Sequence, residues 1–479
     1  MPPHFELLVP GAQRTRNPLK VTAPFDQKVL ATFETGDSET VERALKTADK
    51  LFQNRTNWLP KYRRIEILEK TAQIISGRID ELAAQAAHEG GKPFSDSRVE
   101  IIRAIDGVKN CAECLRSESG TEIPMGINPA SENRIAFTTL EPIGVVVAVS
   151  AFNHPFNLIV HQVGPAIASG CPVIVKPSQD TPISCYTFVS ILREAGLPDE
   201  WCQALVTNDR AVSSKLVTDA RVGFFSFIGS ATVGWKLRSQ LAPGTRCGLE
   251  HGGVAPVILE PDADLDDALP LLAKGGFYHA GQVCVSVQRI FCHQSIIEKV
   301  GHKIATLGKS MSVGDPTLPS TDIGPLIRTS EVDRIHDWVS EAIEQGATLL
   351  SGGEKIAVSC YSPTVLLNPS QQSKVSQLEV FGPLVCIYSY TDIDHAIELA
   401  NDLPFAFQAS VFTNNLNTAL HVTKNLKASA VMVNDFTAFR VDWMPFAGLK
   451  QSGLGVGGIP YTFREMQIEK LSVIRSKNL

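Results

Sequence analysis

The stretch IGVVVAVSAFNHPFNLIVHQVGPAIASGCPVIVKPS, residues 143–178, decides the fold. It opens on a β-branched run of strand length, IGVVVAVS, and closes on a second, PVIVKPS. Residues 155–169 between them carry helical spacing, with Pro155 in the first turn, where its fixed φ is tolerated. Two short β-rich strands around a helix read as a βαβ unit and predict a parallel sheet.

The same alternation continues toward the C-terminus. A helix over 183–195 leads to the strand QALVT, a short helix over 212–219, and the strand VGFFSFIGS with a helix starting near Ala231. It then repeats: the strand APVILE, a helix over 264–278, the strand VQRIFCH, and a helix over 296–309. A further helix over 331–345 precedes strands over 361–367 and 385–390. Two α/β domains are the simplest account. Toward the N-terminus the spacing predicts helices over 38–48, 63–89 and 96–117. Residues 120–141 are less compact, with Pro124, Pro129 and the β-rich run RIAFTTLEP, and read as a protruding hairpin. The late run LSVIRS reads as a strand added to that hairpin or to a neighbour's sheet.

Composition narrows the function. With 479 residues, 44% hydrophobic and 20% charged, the chain can bury a large core, and whole-chain disorder is excluded. A net charge of −6 lacks the basic surplus of a general nucleic-acid binder. No apolar run reaches the ~18 residues of a membrane span. The opening MPPHFELLVPGAQRTRNP has no charged start followed by an apolar block, so no secretory leader is expected. Ten scattered cysteines suit a reduced, cytoplasmic setting. Cys111 and Cys114 lie three apart in a helical stretch, but no second Cys/His pair follows at finger spacing, and no metal site is expected.

Three residue types carry possible covalent chemistry. Cys284, in HAGQVCVSVQR, sits between a predicted helix and a strand, where Gly281 allows close backbone approach. A thiol at such a junction can be exposed and activated by backbone dipoles; it can equally pack as a small hydrophobe. Glu250, in GLEHGGVAPVI, enters an apolar strand beside Gly252 and Gly253. It can be a general base tuned by partial burial, or a strand-end carboxylate held by backbone N–H groups. Asn153 follows the first strand and precedes a helix; its amide can stabilise an oxyanion or cap the helix. FSFIGSATVG places Gly229, Ser230 and Gly234 at a strand-to-helix turn suited to a pyrophosphate. Lys176 ends PVIVKPS at the sheet edge where α/β ligands bind, in reach of a ribose or phosphate, or of solvent alone.

In this order, AFNHP, VKPS, FIGSATVG, LEHGG, GQVC, EVFGP and PFAGLKQSG (445–453) resemble the NAD(P)-dependent aldehyde dehydrogenase superfamily over nearly the whole chain. The resemblance implies two Rossmann-type parallel-sheet domains plus a small β oligomerisation domain. It assigns residues 1–120 and 140–248 to cofactor binding, 249–445 to catalysis, and 121–139 with 462–479 to bridging between subunits of a homodimer or homotetramer. It implies NAD or NADP held by Lys176, Ser178, Gln179, Gly229 and Ser230, with Glu379 on the nicotinamide ribose and Phe381 beside it. It further implies Cys284 as nucleophile, Asn153 and the Cys284 N–H as oxyanion donors, and Glu250 as the base that hydrolyses the thioester. Relatives that pass the acyl group to coenzyme A usually lack that base.

Departures from the family pattern bear on cofactor and substrate. Gln179 replaces a common Glu, which weakens exclusion of a 2′-phosphate and leaves NAD against NADP open. Phe152 replaces a usual Trp. Gln162 replaces a lysine of the helix after Asn153, leaving the deprotonation of Cys284 without that group. Val283 and Val285 suggest a narrow slot. Arg103, His154 and Arg440 are candidates for binding an anionic substrate group, against ion-pair or packing roles. The expectation is oxidation of a small polar, anionic aldehyde, of the succinate semialdehyde, lactaldehyde, phosphonoacetaldehyde or sulfolactaldehyde type. The alternatives are a dehydrogenase for neutral aldehydes, a catalytically silent structural relative, and a cofactor-independent thiol esterase.

Overall fold

The computed structural model describes residues 2–13 and 18–479; Met1 and residues 14–17, part of the opening stretch read for a leader, lie outside the described residues. The βαβ reading holds. Strand Val145–Val149 runs parallel to Val173–Lys176, and helix Asn157–Ser169 connects them. That helix starts two residues later than its spacing suggested, because residues 154–156 form a turn instead. It ends at Gly170, whose φ of 87° only glycine adopts readily.

Six strands build the first sheet, in the order Gly453–Leu454, Arg246–Glu250, Val222–Ile228, Val145–Val149, Val173–Lys176, Cys202–Ala204. The last five are parallel, and Gly453–Leu454 pairs antiparallel with Arg246–Glu250. The chain steps outward from Val145–Val149 in one direction, then crosses to its other side. That reversal makes a topological switch point, the crevice where ligands of open α/β sheets bind. Apolar clusters cover both faces, one containing Val146, Phe156 and Val175, the other Val147, Ile174 and Phe225.

A second sheet of seven strands forms from the later alternation, in the order Thr348–Ser351, Thr364–Leu367, Leu384–Tyr390, Arg289–His293, Pro256–Leu259, Gln408–Phe412, Ala430–Val433. All its neighbours are parallel except the first pair. The helix Leu265–Phe277 shows local coding at work: Asp264 caps it by accepting the N–H groups of Asp266 and Asp267.

The hairpin over 120–141 is present as strands Glu122–Ile123 and Arg134–Pro142. The C-terminal strand Gln467–Arg475 pairs antiparallel with Arg134–Pro142 of the same chain along its whole length. The single helix expected over 63–89 is two, Lys61–Ser76 and Ile79–Gly90, parted at Gly77. Cys111 and Cys114 do lie on a helix, Phe94–Ser117, and no cluster of metal-ligating side chains occurs among the described residues. Among the described residues no helix is long and apolar enough to cross a membrane.

Candidate active site

The strand Arg246–Glu250 is the last parallel strand of the first sheet, and Pro256–Leu259 belongs to the second. Glu250 therefore stands where the chain crosses between sheets. A cavity of about 790 Å³ opens at this junction, lined from both sides, and its size suits a cofactor or substrate site.

Cys284 enters the cavity from the loop before strand Arg289–His293. Three successive residues upstream are left-handed: His279 (φ 49°), Ala280 (φ 53°) and Gly281 (φ 69°). Only glycine fits the third, because a Cβ there would lie 1.9 Å from the carbonyl oxygen of Gly382. Gln282 then fixes the loop. Its Nε2 donates to the carbonyls of His279 and Pro325, both at 3.2 Å, and its Oε1 accepts from the N–H of Ile327 at 2.9 Å. Cys284 is half-buried, and Val283 and Val285 beside it pack with Phe407 and Phe446. Burial pushes its thiol pKa well up, and the carboxyls of Glu379 and Glu250 add to this; Arg440 opposes them.

Asn153 is buried, and its Nδ2 donates to the carbonyl of Gln282 at 3.0 Å. This bond joins the loop after strand Val145–Val149 to the loop of Cys284. Burial raises the pKa of Glu250 to about 7, with Arg440 pulling the other way. A carboxyl poised near neutrality is matched to general-base work. Asn153, Glu250 and Cys284 all line the cavity.

Gly229, Ser230, Ser178, Glu379 and Phe381 line it as well. Ser230 is the N-cap of helix Ala231–Arg238, yet its side chain makes no capping bond. The N–H of Gly229 donates to the Glu250 carbonyl at 3.0 Å, tying this turn to Glu250. The Glu379 carboxyl lies against Gly252, where a Cβ would sit 1.7 Å from Oε1. That Oε1 is buried with no partner among the described residues, and burial raises the carboxyl pKa to about 8. An acceptor orphaned in this way fits a pair of ribose hydroxyls, and a helix start beyond it fits a pyrophosphate. These residues therefore suit a nicotinamide dinucleotide. Phe381 meets Phe152 edge-on, with ring centroids 5.9 Å apart. Lys176 and Gln179 stand outside the cavity lining. Lys176 Nζ reaches only the Pro177 carbonyl, at 3.4 Å, and Gln179 Nε2 donates to the Thr207 carbonyl at 2.6 Å.

The three candidate anion-binding residues reach the cavity in different states. Arg103 is ion-paired: its Nε and Nη2 donate to Asp442 at 3.2 and 2.7 Å. Asp442 also accepts from Asn157 Nδ2 at 3.2 Å and lies 2.6 Å from His161 Nε2. Burial would raise the Asp442 pKa, but the His161 bond and the Arg103 charge hold it well below the ordinary range. His154 Nε2 lies 3.0 Å from the Tyr278 hydroxyl, and burial keeps the ring neutral. Arg440 lies over the Phe446 ring at 4.0 Å, and its Nη2 is buried with no partner among the described residues. Gln162 donates to the Val149 and Ser226 carbonyls, bracing two strands. Asp442, His161, Tyr278 and Gln282 were not singled out in the sequence. The charge of Asp442 two residues after Arg440 was the only signal available there.

The sequence model of the aldehyde dehydrogenase family matches residues 10–471. A curated relative, 3-sulfolactaldehyde dehydrogenase of Priestia megaterium, is 37% identical over 462 residues, 96% of each chain. Among solved structures, aldehyde dehydrogenase 21 of Physcomitrella patens, in complex with the reaction product succinate, superposes with a TM-score of 0.94 at 31% identity over 99% of both chains. A glyceraldehyde-3-phosphate dehydrogenase of Methanocaldococcus jannaschii, complexed with NADP, gives a TM-score of 0.91 at 33% identity, covering 96% of this chain and all of that one. The resemblance carried by the seven motifs is borne out, and the chain belongs to the aldehyde dehydrogenase family of oxidoreductases.

Proposed function

We propose that the protein oxidises a small anionic aldehyde to its carboxylic acid, using NAD or NADP. The observation that carries the choice of substrate is Arg440: a guanidinium with an unpartnered buried Nη2, in the same cavity as Cys284 and Glu250. Burial lowers its pKa only to about 10, so it stays charged at neutral pH. Such a donor is satisfied by a carboxylate, sulfonate or phosphate oxygen. Arg103 is committed to Asp442 and His154 is neutral, so neither supplies a comparable cation. The relatives named above point the same way, since sulfolactaldehyde, succinate and glyceraldehyde 3-phosphate all carry an anionic group.

Substrate enters with its anion on Arg440 and its carbonyl beside Cys284. The Sγ–C bond forms as the carbonyl electrons move to oxygen. Asn153 Nδ2 and the Cys284 N–H receive that charge. Arg440 also favours the thiolate against the two carboxyls that oppose it. Ser230 and Glu379 would hold the dinucleotide, which would supply the acceptor for the hydride leaving the former aldehyde carbon as the thioester forms. Glu250 removes a proton from water, whose oxygen attacks the resulting thioester and frees Cys284. The acid leaves, Cys284 returns to the thiolate that began the cycle, and Glu250 gives the proton it took from water to solvent.

The chain acts as a homodimer or homotetramer. The three-stranded sheet of Glu122–Ile123, Arg134–Pro142 and Gln467–Arg475 exposes Ile135, Phe137 and Ile474 on one face, an apolar surface suited to burial against another copy. Ten free cysteines suit a reducing compartment, and we place the protein in the cytoplasm.

The test is NAD(P)H formation by purified protein over matched anionic and neutral short aldehydes, with each dinucleotide. Higher kcat/KM for the anionic set, lost in Arg440→Leu, is expected. Equal turnover of propanal and succinate semialdehyde would overturn the substrate reading and leave the enzyme class intact.

A further inference from the structure

Lys92 and Glu100 form an ion pair with no solvent exposure at either side chain. The mechanism above does not use it. A buried pair is poor evidence for stability, because desolvation of two charges offsets their attraction. Its placement gives it another task.

Lys92 sits in the turn between helices Ile79–Gly90 and Phe94–Ser117, and Glu100 lies on the second of these. Both reach the loop that presents Asn153. Lys92 Nζ donates to the Asn153 carbonyl at 3.4 Å. Glu100 Oε1 accepts the N–H groups of Phe156 and Asn157, each at 2.9 Å, and so serves as the missing cap of helix Asn157–Ser169. The pair therefore holds the loop at both ends, four residues apart.

The other side of the turn touches residues 324–325, which are bonded to the loop of Cys284 through Gln282. Gly91 is left-handed, with φ 76°, and a Cβ there would lie 2.8 Å from the Pro325 ring. The Gly91 carbonyl presses on Gly324, where a Cβ would come within 1.8 Å. Pro325 accepts from Gln282, and Gln282 accepts from Asn153. The contacts close a circuit: Lys92, Asn153, Gln282, Pro325 and back to the turn. It links the loop after strand Val145–Val149, which carries Asn153, to the loop that carries Cys284.

We propose that Lys92 and Glu100 are positioning residues that set the Asn153 amide for the oxyanion formed when Cys284 adds to the aldehyde. This rests on the oxyanion role given to Asn153 above. A misplacement of about 1 Å in such a donor costs up to about a hundredfold in rate.

The experiment compares Lys92→Met/Glu100→Gln, which removes both charges together, with the parent enzyme. Glu100→Gln alone is the second variant, since its amide oxygen keeps the helix cap. Each is made with and without Asn153→Ala. The readouts are the pre-steady-state burst of NAD(P)H, the dinucleotide Kd, the melting temperature, and the rate of Cys284 alkylation by iodoacetamide, which needs no oxyanion contact. The expected result is a burst slowed about tenfold to a hundredfold with Kd and alkylation unchanged, and no further loss when Asn153 is already Ala. Equal losses with and without Asn153 would overturn the proposal, as would an alkylation rate that falls with the burst. If Asn153→Ala alone leaves the burst intact, the oxyanion reading itself fails. That outcome is told apart because it needs neither Lys92 nor Glu100 to be altered.

Discussion

Oε1 of Glu250 lies so close to the α-carbon of Gly457 that a Cβ built there would sit 2.0 Å from it. The base is therefore seated on backbone supplied by the C-terminal segment. A cavity of about 20 Å³ beside this contact is lined by Ser226, Thr462 and Glu465 as well as Glu250. Gly457→Ala must displace the carboxyl or the segment. Steady-state turnover should fall about 10²-fold, the low end of a general base's contribution, while a burst of one NAD(P)H per site survives. Loss of the burst along with the steady rate would show that Glu250 is needed before hydride transfer.

Because burial raises Glu250 to about 7, the hydrolytic limb should depend on pH within the neutral range. The base works deprotonated, so deacylation rises as pH climbs through about 7 and levels above it. In Glu250→Gln that rise should vanish from a deacylation assay run on preformed thioester. A rise that persists unchanged in the variant assigns the titration to another group.

The two arginines should separate cleanly. Arg440→Leu should raise KM for an anionic aldehyde by about tenfold to a hundredfold, as loss of one charge-assisted contact implies, and leave KM for a neutral aldehyde little changed, while any fall in kcat from a less favoured thiolate is shared by both. Arg103→Leu leaves Asp442 buried with only His161 and Asn157 as partners. It should chiefly cost stability, about 1–3 kcal/mol, read as a lower denaturation midpoint. Reversal of these two outcomes would move the anion site to Arg103.

Gln179 Nε2 donates to the Thr207 carbonyl. A carboxylate in its place cannot make that bond and adds negative charge where a 2′-phosphate would approach. Gln179→Glu should lower kcat/KM for NADP at least about tenfold relative to NAD, since like charges brought together cost several kcal/mol. An unchanged ratio would place the 2′-hydroxyl away from this side chain.

Much of the fold was legible because its strands and helices differ in period. IGVVVAVS and PVIVKPS became neighbours in a parallel sheet, and the run RIAFTTLEP became the long strand of a hairpin. The break at Gly77 was missed because apolar spacing continues across it from Ile75 to Leu82, both buried in one cluster. Cys284, Glu250 and Asn153 were singled out because each sits at a junction between elements near glycine or proline, and all three line one cavity. Lys92, Asp442 and Gln282 were not, since their importance comes from partners far along the chain: Asp442 meets Arg103 across 339 residues. Local pattern holds no record of such pairings.

The order in which the chain is made bears on when the enzyme can first work. Strand Arg246–Glu250 lacks its outer neighbour until residues 453–454 exist, and strand Arg134–Pro142 lacks its long partner until residues 467–475 do. During translation the first sheet must persist with an open edge for some two hundred residues, exposed to pairing with other nascent chains. The same segment carries Gly457, so the backbone beneath Glu250 is among the last parts of the chain to be made. A chain cut short near residue 450 would retain Cys284, the second sheet and five of the six strands of the first, yet have no floor beneath Glu250.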